Sequence, residues 1–330
     1  MSNDYIRPSA HWSPKKRHPH RFRLPKFPKI RLPRIRLPKH FYRQAFLAVL
    51  ILIAAGSLFS LAAFAWVSRD LPNPNALMTR EVAQSTKIYD RTVEHLLYEI
   101  HGNKNRTLVP LEGIPDIVKQ ATLAVEDQQF YKHKGFNPFR IVVGLVWGTI
   151  TKGRPQGGST ITQQLVKNAI LSDERSITRK FKELILSIAI EQRLTKDQIL
   201  QLYLNEIPYG STNYGVEAAS EAYFNKHVKD LNLAEAATLA ALPKAPSTYL
   251  NNPDKLDARR DLVLALMFNE GHITEQQKID AQAAEVTIVQ KADSGIVAAH
   301  FVFYVKEQLE SEAFGFDERQ VEEGGLKVIT

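Results

Sequence analysis

"GGSTITQQLVKN", residues 157–168, is the stretch on which the reading of this chain turns. Two glycines open it, hydroxyl and amide side chains follow in a block, and Lys167 brings its single charge. That composition is unlike an ordinary helix interior, where Ser, Thr and Asn compete with the backbone for hydrogen bonds. The question is what requires so many hydrogen-bonding groups in one place.

The chain has 330 residues, enough for one large domain or two modest ones with a real core. Its formal charge is +8, but that excess is local. Residues 1–44 hold 13 Lys and Arg against one acid, Asp4; the other 286 residues hold 30 basic and 34 acidic side chains. Within the tail, "RFRLPKFPKIRLPRIRLPKH" repeats a basic–apolar–proline unit, and Pro25, Pro28, Pro33 and Pro38 favour an extended chain over a helix. A basic arm can bind nucleic acid. Residues 45–67, "AFLAVLILIAAGSLFSLAAFAWV", decide against that, because 23 positions without a charge predict a membrane-spanning helix, for which about 20 suffice. Arg43 precedes the run, and Trp66 and Arg69 lie at its far end, as interfacial side chains do. The cation excess then places residues 1–44 in the cytoplasm, against anionic lipid headgroups, and the rest outside. "AFA" at 63–65 fits a signal-peptide cleavage site, but the apolar run and its charged leader are too long for a signal peptide. The absence of cysteine suits an extracytoplasmic bacterial protein without disulfides.

Beyond the apolar run, "LPNPNAL" reads as a linker, and "STKIYD" and "HLLYEI" as a pair of short strands. From there the pattern turns helical. Pro115 fits a first helical position, with Ile117, Ala121, Leu123 and Ala124 leading to Glu126. Ser176 starts a helix with Ile177, Phe181, Leu184 and Ile188 on one face; Thr195 with Gln198 forms a capping box; Asn232 caps "LAEAATLAAL", which Pro243 and Pro246 stop. Residues 68–275 therefore read as one mainly α domain behind a short strand pair. In 276–330, "AEVTIVQ" and "GGLKVIT" read as strands around the helix "AHFVFYVKEQLESEAF", a small α/β segment.

Four clusters between 126 and 205 could carry chemistry: "EDQQFYKHKG", the opening stretch, "RKFKE" and "KDQILQLYLN". Singly each has a plain reading, such as a surface Glu–Asp pair, an i,i+4 ion pair at Arg179 and Glu183, or core packing. Together with "RRDLVL" at 259–264, their order and spacing resemble the five motifs of the peptidoglycan glycosyltransferases, over roughly residues 85–275.

That resemblance implies a lysozyme-like helical domain that polymerises lipid II on a bacterial cytoplasmic membrane, by inverting transfer of a lipid-pyrophosphate-linked glycan to an acceptor sugar hydroxyl. It makes Glu126 the base and Glu183 a second essential carboxylate. Lys167, Arg179 and Lys180 line the pyrophosphate side, and Ser159, Thr160, Gln163, Gln164 and Asn168 bind substrate. The chemistry fits these residue types: a carboxylate takes a proton from an attacking hydroxyl, and fixed cations stabilise charge growing on a leaving pyrophosphate. The opening stretch is then a substrate-binding loop leading into a helix, where Gly157 and Gly158 allow close backbone approach. Phe130, His133 and Gly135 read as scaffolding. No His/Asp/Glu set has metal-ligand spacing, so no cofactor is obligatory, although a divalent cation can assist at the pyrophosphate. The expected partners are lipid II, the growing glycan strand, the bilayer and other cell-wall synthesis proteins, not nucleic acid.

Two departures from the family stand out. Val143-Gly144 replaces an Arg-Ala pair in "FNPFRIVVGLVWGTITKGRP", the segment expected to meet lipid, and Val93 stands where relatives have glycine. A carboxylate-paired glycan hydrolase is the rival enzyme, and an inactive membrane-tethered scaffold the rival without activity. The cations disfavour the hydrolase, and retention of both glutamates disfavours the scaffold. Residues 276–330 resemble the linker that precedes the penicillin-binding transpeptidase domain of two-function members. The only Ser-x-x-Lys is "SPKK" at 13–16, so the expectation is the N-terminal part of a longer, bifunctional protein.

Overall fold

Six of the described helices begin on a side chain that closes their first turn. The computed structural model describes residues 39–68, 71–73, 77, 82–137, 158–171, 176–289 and 298–330. In chain order it contains α1 (Lys39–Ser68), β1 (Thr86–Tyr89), β2 (Leu96–Ile100), β3 (Asn105–Arg106), α2 (Asp116–Glu126), α3 (Ile161–Ala169), α4 (Ile177–Glu191) and α5 (Lys196–Glu206). There follow β4 (Pro208–Gly210), β5 (Asn213–Tyr214), α6 (Val216–Phe224), α7 (Leu233–Ala241), α8 (Pro246–Leu250) and α9 (Pro253–Asn269). The last elements are α10 (Glu275–Ala283), α11 (Ala299–Glu310), α12 (Glu318–Glu323) and β6 (Lys327–Ile329). The chain divides into two compact units, Met1–Ser60 and Leu61–Thr330.

Thr160, Thr195, Asn232, Thr274 and Asp317 each accept a hydrogen bond from the backbone N–H three residues on. Gln163, Gln198, Glu235, Gln277 and Gln320 in turn accept from the cap's own N–H, so two otherwise orphaned donors per helix are satisfied. Ser176 caps α4 as its sequence predicts. Pro115 differs by one position: its extended backbone makes it the cap of α2 rather than the first helical residue. Pro246 likewise opens α8, where a missing N–H costs nothing, instead of merely ending α7.

The main core is helical, as the pattern of residues 110–275 predicts. Ala234, Ala236, Ala237, Ala240 and Ala241 make α7 slender enough for α2 and α9 to close against it. Beside this, α3 packs on α4 and α5 through Ile161, Leu165, Leu186, Ile190, Ile199, Leu200 and Leu204, all buried. Each such side chain contributes about 1.5–3 kcal/mol by leaving water. The expected apolar face of α4 is displaced: Phe181 is exposed, while Glu183, Leu186, Ser187 and Ile190 face inward. Phe181 yields because α4 turns Glu183, held by two cations, into the interior.

β1 and β2, the expected pair of short strands, form an antiparallel hairpin, and β6 adds to β1 in parallel with Lys87 opposite Lys327. Ile88, Ile100, Val302, Val305, Leu309 and Val321 make a second small core under α11 and α12. The predicted strand "AEVTIVQ" is not one over its described residues 284–289. It runs irregularly, Val289 N–H donates to the Tyr223 carbonyl at 2.9 Å, and Val286 and Ile288 pack on the helical core.

Among the described residues no helix is long and apolar enough to cross a membrane. Residues 45–67 nevertheless lie inside α1, whose described large apolar side chains, from Phe46 to Ile53 and at Leu58, are exposed. Side chains at 59–61, 63, 64 and 66–68 lie outside the description, as do residues 1–38 and Val143-Gly144.

Candidate active site

α2 ends at Glu126 because Asp127 leaves the helical conformation, and the turn sends the two adjacent carboxylates in different directions. Asp127 is 1 % exposed. It accepts from the N–H of Ile161, the first residue of α3, at 3.1 Å and holds His133 Nε2 at 2.8 Å. A carboxylate is favoured at that helix end by the backbone dipoles. Asp127 therefore pins the start of α3, and Glu126 remains partly exposed at the end of α2.

Gln164 reaches from α3 to Glu126, its Nε2 donating to Oε2 at 2.7 Å, while its Oε1 accepts from the Tyr203 hydroxyl at 3.3 Å. Burial, reinforced by the charge of Glu126, pushes the Tyr203 and Tyr209 phenols far up, so both stay protonated beside the carboxylate.

The second glutamate lies on the other side of the same loop. Glu183 is 2 % exposed; Lys180 Nζ meets its Oε2 at 2.6 Å and Arg179 Nε its Oε1 at 3.3 Å. Lys180 also donates to Ser159 Oγ at 2.7 Å. The segment 159–164 is thus bound at one end to the Lys180–Glu183 pair and at the other to Glu126. Within it, Thr160 and Gln163 are buried and engaged in the helix cap, and the Thr160 hydroxyl also donates to the Gly135 carbonyl at 2.8 Å. Gly135 has φ +83°, and a Cβ there would sit 2.8 Å from the Ser187 carbonyl oxygen of α4. Lys167 is exposed on the last turn of α3, with Asn168 half-buried one turn beyond Gln164. Gly157 lies outside the described residues.

Residues 93–268 match the Transglycosylase family. The chain belongs to the transglycosylase family. It is 42 % identical over 242 residues to penicillin-binding protein 1A of Aquifex aeolicus, covering 73 % of this chain and 33 % of that one. With penicillin-binding protein 1A of Escherichia coli it shares 38 % over 282 residues, 85 % of this chain and 32 % of the relative. Penicillin-binding protein 1F of Bacillus subtilis is 41 % identical over 214 residues, 64 % and 29 % of the two chains. The chain therefore spans about a third of the length of these relatives.

Tertiary packing brings Lys244, which no local pattern marks, within electrostatic reach of Glu126 and of Arg259 from "RRDLVL". Lys244 follows Pro243 in the turn after α7. Its ammonium is held below the usual lysine range by burial first and by Arg259 second, with Glu126 acting in the opposite direction. Lys244 and Arg259 thus stand within electrostatic reach of one another, and Lys244 within reach of Glu126. The paired arginines of "RRDLVL" divide their work: Arg260 is buried, meets Asp257 and Asp261 at 3.1 Å, and donates to the carbonyls of Gln282 and Ala284. Of the two, Arg259 is the one within electrostatic reach of Lys244.

Among the described residues, the carboxylates of Glu217 and Glu221 and the ring of His227 converge closely enough to be weighed as metal ligands. Their atoms are engaged with protein groups. His227 Nδ1 lies 2.6 Å from Glu217, Glu217 also accepts from Val228 N–H, and Glu221 binds Lys87 at 2.6 Å. This is an ion network between α6 and β1, which serves to anchor the small sheet.

Proposed function

We propose that this transglycosylase polymerises lipid II into glycan strands. The observation that carries the reading is the bridging of Glu126 and the Lys180–Glu183 pair by segment 159–164. In the proposed step, a hydroxyl of the acceptor sugar attacks the anomeric carbon of the donor glycan from the face opposite its pyrophosphate. The new glycosidic bond forms as the carbon–oxygen bond to pyrophosphate breaks; the hydroxyl proton passes to Glu126, and the lipid pyrophosphate departs with the bonding electrons. Lys167, Arg179, Lys180 and Lys244 counter the charge that develops on the leaving group. Glu183 keeps Arg179 and Lys180 aimed. Ser159, Gln164 and Asn168 contact sugar or phosphate, while Thr160 and Gln163 shape the loop that presents them. A divalent cation can assist at the pyrophosphate.

The same reading places the chain on a bacterial cytoplasmic membrane. The charge-free run 45–67 within α1 and the exposed apolar side chains of that helix support a single membrane span. The 13 cations of residues 1–44 support a cytoplasmic tail on anionic lipid, with the lysozyme-like catalytic part outside. Residues 276–330 are proposed to lead toward a transpeptidase domain.

The test is incubation of detergent-solubilised chain with lipid II, followed by sizing of the product. Glycan polymer is expected from the parent, and Glu126→Gln should lower turnover by about 10² or more, the scale of a lost general base. Release of short glycan from preformed peptidoglycan would instead support a hydrolase, and no product from either substrate a scaffold.

A further inference from the structure

Glu191, the last residue of α4, belongs to none of the groups that face Glu126 or Glu183, yet side chains from α3 and α5 meet on its carboxylate. Its side chain is 3 % exposed. The Thr162 hydroxyl, in the first turn of α3, donates to Oε1 at 2.5 Å. Lys196 Nζ, from the first residue of α5, lies 2.7 Å from each carboxylate oxygen. The same ammonium sits 4.4 Å above the ring of Phe130, the buried aromatic in the turn that follows Glu126 and Asp127. A lysine at the first position of a helix opposes the helix dipole, so Lys196 stays there because Glu191 and the Phe130 ring offset that cost.

We infer that Glu191 is a positioning residue for the transfer reaction, setting the start of α3 against the end of α2 through Thr162 and through Lys196 on Phe130. This rests on the polymerase reading above. A single residue separates Thr162 from Gln164, whose amide donates to Glu126, so a shift of the first turn of α3 is passed directly to the base. Arg179 and Lys180 stand at the opposite end of α4 from Glu191, and Lys167 on the last turn of α3, away from the turn that Thr162 anchors. The effect therefore falls on the rate of the chemical step and not on substrate binding, since misplacing a reacting group by about 1 Å costs on the order of 10²-fold.

The full 330-residue chain in detergent, assayed with lipid II, tests this in three variants. Glu191→Ala should lower kcat at least about tenfold with KM within about threefold. Glu191→Gln, whose amide oxygen still accepts from Thr162 and Lys196, should recover most of that loss. Thr162→Val, which keeps the shape and removes the hydroxyl, should lower kcat by about threefold or more, and it decides the matter if Glu191→Ala gives no cooperative melt. A carboxylate that merely stabilised the fold would lower the amount of active protein, leaving kcat per folded molecule unchanged. Thr162→Val and a folded Glu191 variant both within about twofold of the parent kcat would overturn the role of Glu191. A parent chain that makes no polymer would overturn the polymerase reading itself.

Discussion

Gln164 donates from Nε2 to Oε2 of Glu126 across 2.7 Å, and this bond joins the polar loop and its helix to the carboxylate that ends α2. The amide has its other end on the hydroxyl of buried Tyr203, so it is held in one orientation. Gln164→Leu removes both bonds at nearly constant volume. Turnover at saturating lipid II should fall by about tenfold, and the folded state should lose about 1 kcal/mol, the net worth of a typical hydrogen bond. Unchanged turnover would show that Glu126 is oriented by something else.

Glu183 behaves differently because it is buried and ion-paired. Glu183→Gln leaves Arg179 and Lys180 without their shared carboxylate, and Lys180 is half exposed and can turn to solvent. Stability should fall by about 1–3 kcal/mol in urea unfolding, and KM for lipid II should rise together with a drop in kcat. Lys180→Ala, by contrast, should cost little stability, since an exposed ammonium contributes little to folding. Equal destabilisation by the two variants would contradict this division.

Lys87 gives a pH dependence with a definite sign. Burial alone lowers its pKa, but Glu221 and Glu99 outweigh burial and hold it above the ordinary 10.5. A lysine pKa raised on folding stabilises the native state in full below pH 10.5, and that contribution disappears as pH rises from there through the folded value. Thermal unfolding of Lys87→Met should therefore lie below the parent at neutral pH, and the gap should narrow only above pH 10.5. A gap that closes well below pH 10.5 would show that the Lys87 ammonium is not its source.

Val93 occupies the turn between β1 and β2 with φ +63°, a left-handed conformation that a β-branched side chain adopts only at a cost. This accounts for the glycine expected at that position. Val93→Gly relieves roughly 1–2 kcal/mol of strain and loses roughly 0.5–1 to chain entropy, so a net gain of about 0.5–1 kcal/mol is expected in chemical denaturation. Destabilisation by this substitution would mean that the Val93 side chain contributes more by packing than its backbone costs.

The amino-acid sequence determined several helix starts, because capping joins groups only three residues apart. Ser176, Thr195 and Asn232 start their helices where a side-chain oxygen can reach the third N–H on, and this reach is local. The candidate site was legible for a related reason: its polar and charged residues are crowded into four short runs whose order is visible without coordinates. Only the tertiary structure decided which of Glu126 and Asp127 pins a helix and which faces the loop, because the N–H that selects Asp127 is 34 residues away on Ile161. It also overruled the apolar spacing of α4, exposing Phe181 so that Glu183 could be buried against cations. Lys244 and Arg259 come together only once α7 and α9 have packed. β6 finds β1 across most of the chain, where Leu326 N–H donates to the Thr86 hydroxyl at a separation of 240 residues. Periodicity and capping report hydrogen bonds within one turn, whereas these contacts exist only because remote apolar faces shared a core first.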